Sequence, residues 1–294
     1  MRVLVTGGTG FIGSRLVKKL DKAGHDVISI DRALNSVNFQ EYNYVLADLC
    51  NQSDLTRLRY KLDGIDVVYH LAGKKNLQES FDRISYYHNS NVVGSLNLLS
   101  LCEEAGVKRF VFASSAAVYS EPDVNLPIVT EDLSPTDPAS PYGLQKLTVE
   151  KYCKIYSRNT NLDTVSLRYF NLFGPETQSG VVGAMLNKHK NGEKLTIFGD
   201  GTNSRDFIHI DDVVDATIAA GEHNEAHNGE IYNVGSGEPT SVNDIAFCIC
   251  KDDKNITRLP AQQEVSSIYC SIEKITKKLG WQPNTNVLKW LSNQ

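Results

Sequence analysis

No apolar run in this 294-residue sequence approaches the roughly 20 residues that a membrane-spanning helix needs, so no membrane partner is expected. Positive charge is in short supply. Thirty Lys and Arg stand against 35 Asp and Glu, for a net charge of −5. That balance offers no bulk pull toward nucleic acid or an anionic bilayer. The six cysteines (Cys50, Cys102, Cys153, Cys248, Cys250 and Cys270) include no C-x-x-C pair, and no His/Cys cluster has zinc spacing, so no metal site is expected. Met1 leads directly into "RVLVTGG", which reads as a strand rather than an export signal. The expected location is therefore the cytoplasm, with reduced thiols. Asn255-Ile256-Thr257 matches a glycosylation acceptor, which in that compartment reads as chance. Low-complexity tracts, internal repeats and a clear linker are also missing. What is present is an ordinary globular composition, long enough for one large domain or two coupled ones.

Short apolar runs alternate with longer amphipathic stretches. "RVLVTG", "DVISID", "YNYVLADL", "DVVYHLAG", "RFVFASS" and "DTVSLRYFN" are rich in Val, Ile, Phe and Tyr and too short for helices, so they read as strands. Helical patterns lie between them, among them Phe11–Ala23, Val92–Ala105 and Tyr142–Tyr156. This alternation predicts an α/β protein with a doubly wound parallel sheet covered on both faces. After Asn171 the rhythm breaks into turn formers, "GPETQSG" and "FGDGTNSRDF". A helix is expected at Asp211–Ala220 and a strand at "EIYNVGSG", with short helices and loops over the last sixty residues. The expected division is a first domain over 1–170, with returns near 205–233, and a smaller C-terminal lobe over 171–204 and 234–294.

"VTGGTGFIG" places Gly7, Gly10 and Gly13 between a strand and a helix. Glycines there let backbone approach a pyrophosphate, which the free N–H groups of the helix N-terminus then face. Asp31 ends the second strand, where an acid accepts ribose hydroxyls and favours NAD over NADP. Its alternative is a loop acid or a cap, and Arg32 beside it suits a 2′-phosphate. Asp48 is either an adenine contact or a turn-forming Asp. "SPYGLQKLTVE" puts Tyr142 and Lys146 one helical turn apart on one face. That is either a surface pair or a tyrosine being made acidic.

In these stretches the chain resembles the extended short-chain dehydrogenase/reductases, the family of sugar-nucleotide epimerases and dehydratases. "TGGTGFIG" looks like the family's cofactor turn, "HLAG" its fourth strand and "SSAAVY" its active-site strand. "SPYGLQK" looks like its Y-x-x-x-K helix, and "RYFNLFGP", "GDGTNSRDFIHIDDV" and "YNVGSG" like its later landmarks. The resemblance implies a Rossmann domain for NAD and a lobe for a nucleotide-linked sugar. It makes Tyr142 the base, Lys146 its activator and a ribose ligand, and Ser115, rather than Ser114, the proton relay to the sugar's 4-hydroxyl. A free phenol has a pKa near 10. An ammonium group and a cationic nicotinamide beside it would lower that value. The cofactor side would be completed by Phe11, Ile12, Leu49, Leu71, Ala72, Gly73, Lys75 and Asn91, the last bracing backbone beside the site. Lys75, otherwise a solvated loop lysine, would also reach the sugar's diphosphate. Ser80 would contact the sugar or cap a helix. Asn171 and Arg205 would hold the diphosphate, Arg205 having an ion pair with Asp211 or Asp212 as its alternative.

Dehydratases of the family carry an Asp-Glu pair after the active-site Ser/Thr, and decarboxylases a Glu. Here both places are alanines, Ala116 and Ala117, and a methyl group moves no proton. What remains is reversible oxidation at C4, and "HLAGKKNLQES" is similar to the matching stretch of UDP-galactose 4-epimerases. The resemblance therefore implies an NAD-dependent C4 epimerase of a UDP-hexose, commonly a homodimer through the helices near Val92–Ala105 and Tyr142–Tyr156. The alternatives are a reductase or dehydrogenase with net turnover, or a silent NAD-binding scaffold. Toward the C-terminus the family's R-x-G-[DE] reads Ala261-Gln262-Gln263-Glu264. The arginine is gone, Glu264 stays, Arg258 is a possible substitute, and Ser271 replaces an Asp. Ile268 stands where side-chain bulk limits the hexose pocket.

Overall fold

A computed structural model of the chain describes residues 1–33, 43–120, 127–177, 179–261 and 267–294. In chain order its elements begin with β1 (Arg2–Thr6), α1 (Gly13–Lys22), β2 (Asp26–Asp31), β3 (Asn43–Leu46), α2 (Gln52–Lys61), β4 (Val67–His70), α3 (Leu77–Asp82), α4 (Ile84–His88), α5 (Gly94–Glu104) and β5 (Arg109–Ser115). They continue with β6 (Ile128–Val129), α6 (Pro141–Asn159), β7 (Asp163–Tyr169), β8 (Asn171–Phe173), α7 (Gly180–Lys190), β9 (Leu195–Phe198), β10 (Ser204–His209), α8 (Ile210–Glu222) and β11 (Glu230–Val234). The last are β12 (Pro239–Ser241), α9 (Val242–Cys250), β13 (Ile256–Leu259), β14 (Ser267–Cys270), α10 (Glu273–Leu279) and α11 (Val287–Leu291). Among the described residues no helix is long and apolar enough to cross a membrane.

The chain divides into two compact units, one of Met1–Ser120, Pro135–Arg168 and Val214–Tyr232, the other of Glu121–Ser134, Tyr169–Val213 and Asn233–Gln294. The first is built on a sheet of order β11-β7-β5-β4-β1-β2-β3, and β1 pairs in parallel with both β2 and β4. This is the expected doubly wound sheet. The order reverses at β1, where β2 leads one way and β4 the other, and ligands of open α/β sheets bind at the strands' carboxyl ends beside such a reversal. Strands buried on both faces explain the apolar runs: β1 buries Val3, Leu4 and Val5, and β5 buries Phe110, Val111 and Phe112. Leu16 and Leu20 of α1 and Leu98, Leu99 and Cys102 of α5 are also buried, at the helical spacing that covers a sheet.

The second unit holds the order β12-β10-β14-β6, with β8 also on β10, and a separate β9–β13 pair. Its core gathers Phe173, Val182, Met185, Leu195, Ile197, Phe207, Ile245 and Ile249. Here the sequence reading needs correction. The last sixty residues hold the strands β12, β13 and β14 besides helices. Strands of three or four residues are too short to display an alternation, and their order comes from pairing with β9 and β10, which no local pattern reveals. Two helix starts also differ. α1 begins at Gly13 rather than Phe11, and a π-helical turn, Asn89–Val93, precedes α5.

Candidate active site

The turn after β1 requires its glycines. Gly7 has φ +72°, and a Cβ there would lie 2.8 Å from the Ala72 nitrogen. A Cβ on Gly13 would lie 2.1 Å from the Gly7 carbonyl oxygen, so α1 starts pressed against the turn. Gly10 is looser, 3.1 Å from the same oxygen, and its N–H donates to it. Phe11 and Ile12 follow half-buried, with Arg15 stacked 4.6 Å from the Phe11 ring centre. A cradle that closes only without side chains fits a dinucleotide's pyrophosphate at the helix N-terminus.

Asp31 sits at the end of β2 with its carboxylate already oriented. One oxygen accepts the Thr9 N–H (3.1 Å) and hydroxyl (2.6 Å), and the other accepts the Arg32 N–H (2.7 Å). The Thr9 hydroxyl has a second acceptor in reach, the Ala33 carbonyl at 3.2 Å, so it can release Asp31 to an incoming ribose hydroxyl. Arg32 turns away from Asp31, with Nη2 3.4 Å from the Tyr86 hydroxyl and Nη1 3.9 Å from Asp48. Asp48 also accepts the Cys50 N–H, a turn-forming contact. Leu49 belongs to the core, and its carbonyl accepts from Asn97.

At the end of β4 a buried hydrogen-bond chain assigns its own protons. The Ser95 hydroxyl lies 2.6 Å from the Asn91 carbonyl and donates to it, so His70 Nε2 donates to Ser95 Oγ across 2.8 Å. His70 Nδ1 is then the acceptor, taking the Thr6 hydroxyl at 2.7 Å, and Thr6 Oγ1 accepts the Ala72 N–H. Burial, and then the Lys146 charge, push His70 down to about 3, which fixes it as this neutral tautomer. The Asn91 side chain accepts the Lys74 N–H (2.7 Å) and donates to the Lys74 carbonyl and to Gln145 on α6 (3.0 Å). Asn91 thus braces both backbone groups of Lys74. It sits in the π-helical turn, an arrangement frequent at functional sites. Lys75 is exposed beyond this bracket.

Ser140 caps α6 by accepting the Gly143 N–H, and Pro141 follows in the first turn. Gly143 is needed because a Cβ would fall 2.1 Å from the Ala117 carbonyl oxygen and 2.8 Å from the Pro138 Cβ. The helix start is thereby seated on the turn that follows β5, which brings Tyr142 to Ser115. The Ser115 hydroxyl accepts the Ala117 N–H at 3.2 Å, and it stands near enough to the buried Tyr142 phenol to lower its pKa. Lys146 is buried too, with Nζ 2.7 Å from the Ala113 carbonyl, 4.8 Å from the Phe112 ring centre and 5.9 Å from that of Tyr142.

The electrostatics differ from the simple expectation of an acidic phenol. Burial raises the Tyr142 pKa, opposed by the nearby Ser115 hydroxyl. Burial also lowers Lys146 to about 8, opposed by Glu150. A low-dielectric surrounding disfavours both charged forms, and the protein alone does not make the phenol acidic. Ser80 is committed within the protein as well. Its hydroxyl donates to the Leu77 carbonyl (2.5 Å) and accepts the Tyr142 N–H (3.3 Å).

Sequence reasoning passed over Glu150 and Arg168. Both are almost fully buried, and they form a two-pronged pair: Nε to Oε1 at 2.9 Å and Nη2 to Oε2 at 2.8 Å. Ser114 donates to the same carboxylate at 2.5 Å, which gives it a structural task and leaves Ser115 for the phenol. The available signal was the spacing: Tyr142, Lys146 and Glu150 recur every fourth residue on one helix.

In the second unit Arg205 and Ile268 are register partners of β10 and β14, and so side by side on one sheet face. Asn171 Nδ2 donates to the Asp206 carbonyl at 3.0 Å. Asp212 is occupied in accepting the Asn284 and Thr285 N–H groups. Asp206, also passed over, accepts the N–H groups of Ser236, Gly237 and Cys270, tying "SRDF" to "YNVGSG". Arg258 donates to the Asp200 carbonyl and Asn243, bracing the "GDG" turn. Ser271 accepts the Glu273 N–H at the start of α10 across 3.3 Å, a bond that an Asp carboxylate could also accept. Glu264 lies outside the described residues.

Residues 3–235 match the model of the NAD dependent epimerase/dehydratase family. The chain belongs to that family. Among its relatives is the UDP-glucose 4-epimerase of Corynebacterium glutamicum, 35% identical over 98% of this chain and 93% of its own. The solved structure of UDP-glucose 4-epimerase from Thermotoga maritima, with UDP-glucose, is 31% identical, with a TM-score of 0.89 and coverage of 99% of this chain and 96% of that one. UDP-glucuronic acid 4-epimerase from Bacillus cereus, solved with UDP-glucuronic acid and NAD, is also 31% identical, at a TM-score of 0.87 and the same coverage. The glycine cradle and the Ser115–Tyr142–Lys146 group are thus set in a fold shared over most of the length of these epimerases.

Proposed function

We propose that the chain is an NAD-dependent epimerase that inverts C4 of a UDP-hexose, UDP-glucose/UDP-galactose or the N-acetyl forms. Gly7, Gly10 and Gly13 hold the NAD pyrophosphate, Asp31 the adenosine ribose, and Lys146 the nicotinamide ribose. NAD held there would supply a reversible hydride acceptor for C4, so that hydride could return to the opposite face of a 4-keto sugar that had turned over. Tyr142 takes the 4-hydroxyl proton as phenolate and gives it back, with Ser115 passing it on. A base tuned toward neutral pH contributes roughly 10²–10⁴ in rate. In the second unit Arg205 and Asn171 take the diphosphate, Arg205 because a planar fork grips phosphate oxygens in pairs. Lys75 is assigned to the diphosphates and Ile268 to the hexose.

The observation that carries this reading is the packing of the α6 start against the turn after β5, which puts buried Tyr142 and Lys146, one helical turn apart, beside Ser115 at the carboxyl end of β5. Ala116 and Ala117 follow it, so no further acid or base stands there to eliminate water or to promote loss of carbon dioxide. The six unpaired thiols fit a reducing compartment, and we place the enzyme in the cytoplasm. We also infer a homodimer through α5 and α6, supported by the apolar residues Leu144, Tyr152 and Ile155 that α6 leaves exposed.

The test is a panel of UDP-, GDP- and CDP-sugars with the product configuration at C4 read by NMR. It runs beside an assay of NAD released from heated protein. Near-stoichiometric NAD with C4 inversion is expected, and consumption of free cofactor would instead mean a reductase. Tyr142→Phe should abolish turnover with NAD still bound. Unchanged turnover would remove Tyr142 as the base.

A further inference from the structure

β2 and β4 pair with β1 from opposite sides, and the glycine turn leaves β1 between their carboxyl ends. Arg32 follows β2 and Lys74 follows the end of β4, so two cations flank that turn. Tyr86 of α4 reaches both. Arg32 Nη2 donates to its hydroxyl at 3.4 Å, and Lys74 Nζ lies 5.0 Å from its ring centre. The ring has a third cation against it. The Arg83 guanidinium carbon is 4.0 Å from the ring centre, and Glu79 fixes Arg83 at 2.9 Å. Cations this close repel one another, so surface stability alone gives no reason to gather three about one ring. Asp48 offsets Arg32 from 3.9 Å, and Glu79 offsets Arg83. Lys74 pairs with no carboxylate among the described residues. Positive charge is thus left over beside the cradle, where a dinucleotide's diphosphate would be anionic.

We propose that Arg32, Tyr86 and Lys74 form a clasp that joins the chain after β2 to the chain after β4 and retains the bound dinucleotide. This rests on the reading of the glycine turn as the NAD cradle. Arg32 and Lys74 attract the diphosphate from either side, and Tyr86 ties the two sides together. The dinucleotide leaves when the Arg32–Tyr86 contact opens. The arrangement suits redox-neutral turnover, because cofactor lost after the first hydride transfer would strand a 4-keto sugar. Retention is a release rate, and contacts already ordered within the protein act on that rate. Lys74, and then Arg32, hold the Tyr86 phenol below the usual tyrosine range, the direction that cations at its edge impose.

The experiment loads the full chain with labelled NAD, removes free cofactor, and follows loss of label during a chase with unlabelled NAD. The variants are Tyr86→Ala, Arg32→Ala and the two together, with folding checked by circular dichroism. Each single variant should release NAD about tenfold faster, the scale of one lost contact to a charged group. The double variant should release it no faster than the faster single one, since either change opens the same clasp. Independent contacts would instead multiply, to about a hundredfold. Tyr60→Ala, on a 78% exposed tyrosine of α2, should keep the native rate. The clasp is refuted if Tyr86→Ala releases NAD at the native rate, or if the two single effects multiply in the double variant. A native chain that retains no NAD would overturn the cofactor reading and the clasp with it. A native chain that retains NAD beside an unchanged Tyr86→Ala overturns the clasp alone.

Discussion

Gly143 is the residue whose smallest change should report most directly on catalytic geometry. Its added Cβ would sit 2.1 Å from the Ala117 carbonyl oxygen. That is roughly 1.5 Å inside ordinary contact. Backbone is on both sides of the clash, and the Pro138 ring closes the remaining direction, so no flexible side chain can absorb it. The start of α6 must move by about 1 Å, and Tyr142 is the residue just before the clash. A misplacement of that size costs on the order of 10² in rate, whereas overpacking costs about 1–3 kcal/mol of stability. Gly143→Ala should therefore fold, keep NAD and lose about a hundredfold in kcat, with KM changed far less. Leu144→Ala, one residue along and 56% exposed, is the control and should leave kcat alone. The assay is UDP-hexose epimerisation followed by NMR, with bound NAD quantified on the same sample. Gly143→Ala within twofold of native kcat would refute the claim that seating α6 on the Ala117 carbonyl sets the Tyr142 position.

Three further perturbations have expected outcomes. The folded His70 pKa, about 3, is below its unfolded value, so the unfolded chain binds the extra proton. The corresponding stability is full above pH 6.5 and is lost toward pH 3 at about 1.4 kcal/mol per unit. His70→Phe should flatten that part of the acid limb in thermal melts. An unchanged slope would refute the neutral buried assignment. Asp206→Ala strips acceptors from Ser236, Gly237 and Cys270 and should lower stability by about 2–4 kcal/mol in urea unfolding. A loss below 1 kcal/mol would mean that water replaces the carboxylate. Ile155→Glu, placed on the exposed stripe of α6, should convert a dimer to monomer in sedimentation. A dimer that persists would move the interface elsewhere.

The first unit was legible because its strands are buried on both faces, so Val, Ile and Phe runs mark them without any tertiary knowledge. The glycine turn was legible for a related reason. At Gly7 and Gly13 the backbone leaves no room for a Cβ, and composition there is forced by geometry. The second unit was not, since its strands are short and ordered by distant partners. β13 is four residues held by β9, about sixty positions earlier in the chain. The π-helical turn before α5 was equally invisible, because Asn89-Ser90-Asn91-Val92-Val93 carries an ordinary helical pattern and only the hydrogen bonding differs.

Within the candidate site, the sequence drew attention to side chains with chemistry in their names and not to the buried partners around them. Tyr142, Lys146 and Ser115 form a recognisable spacing, whereas His70, Ser95, Gln145 and Glu150 act through partners 18 to 64 positions away. The protonation states were the larger omission. Spacing left open whether the lysine makes the tyrosine acidic, and in the structure burial raises the phenol and lowers the amine. Both shifts follow from one cause, the desolvation of charge, and sequence periodicity has no access to desolvation. The chain therefore supplies a neutral phenol beside an amine whose proton burial has loosened. The positive charge that would tip the pair toward phenolate must come from outside it, consistent with a cofactor that is cationic only when oxidised.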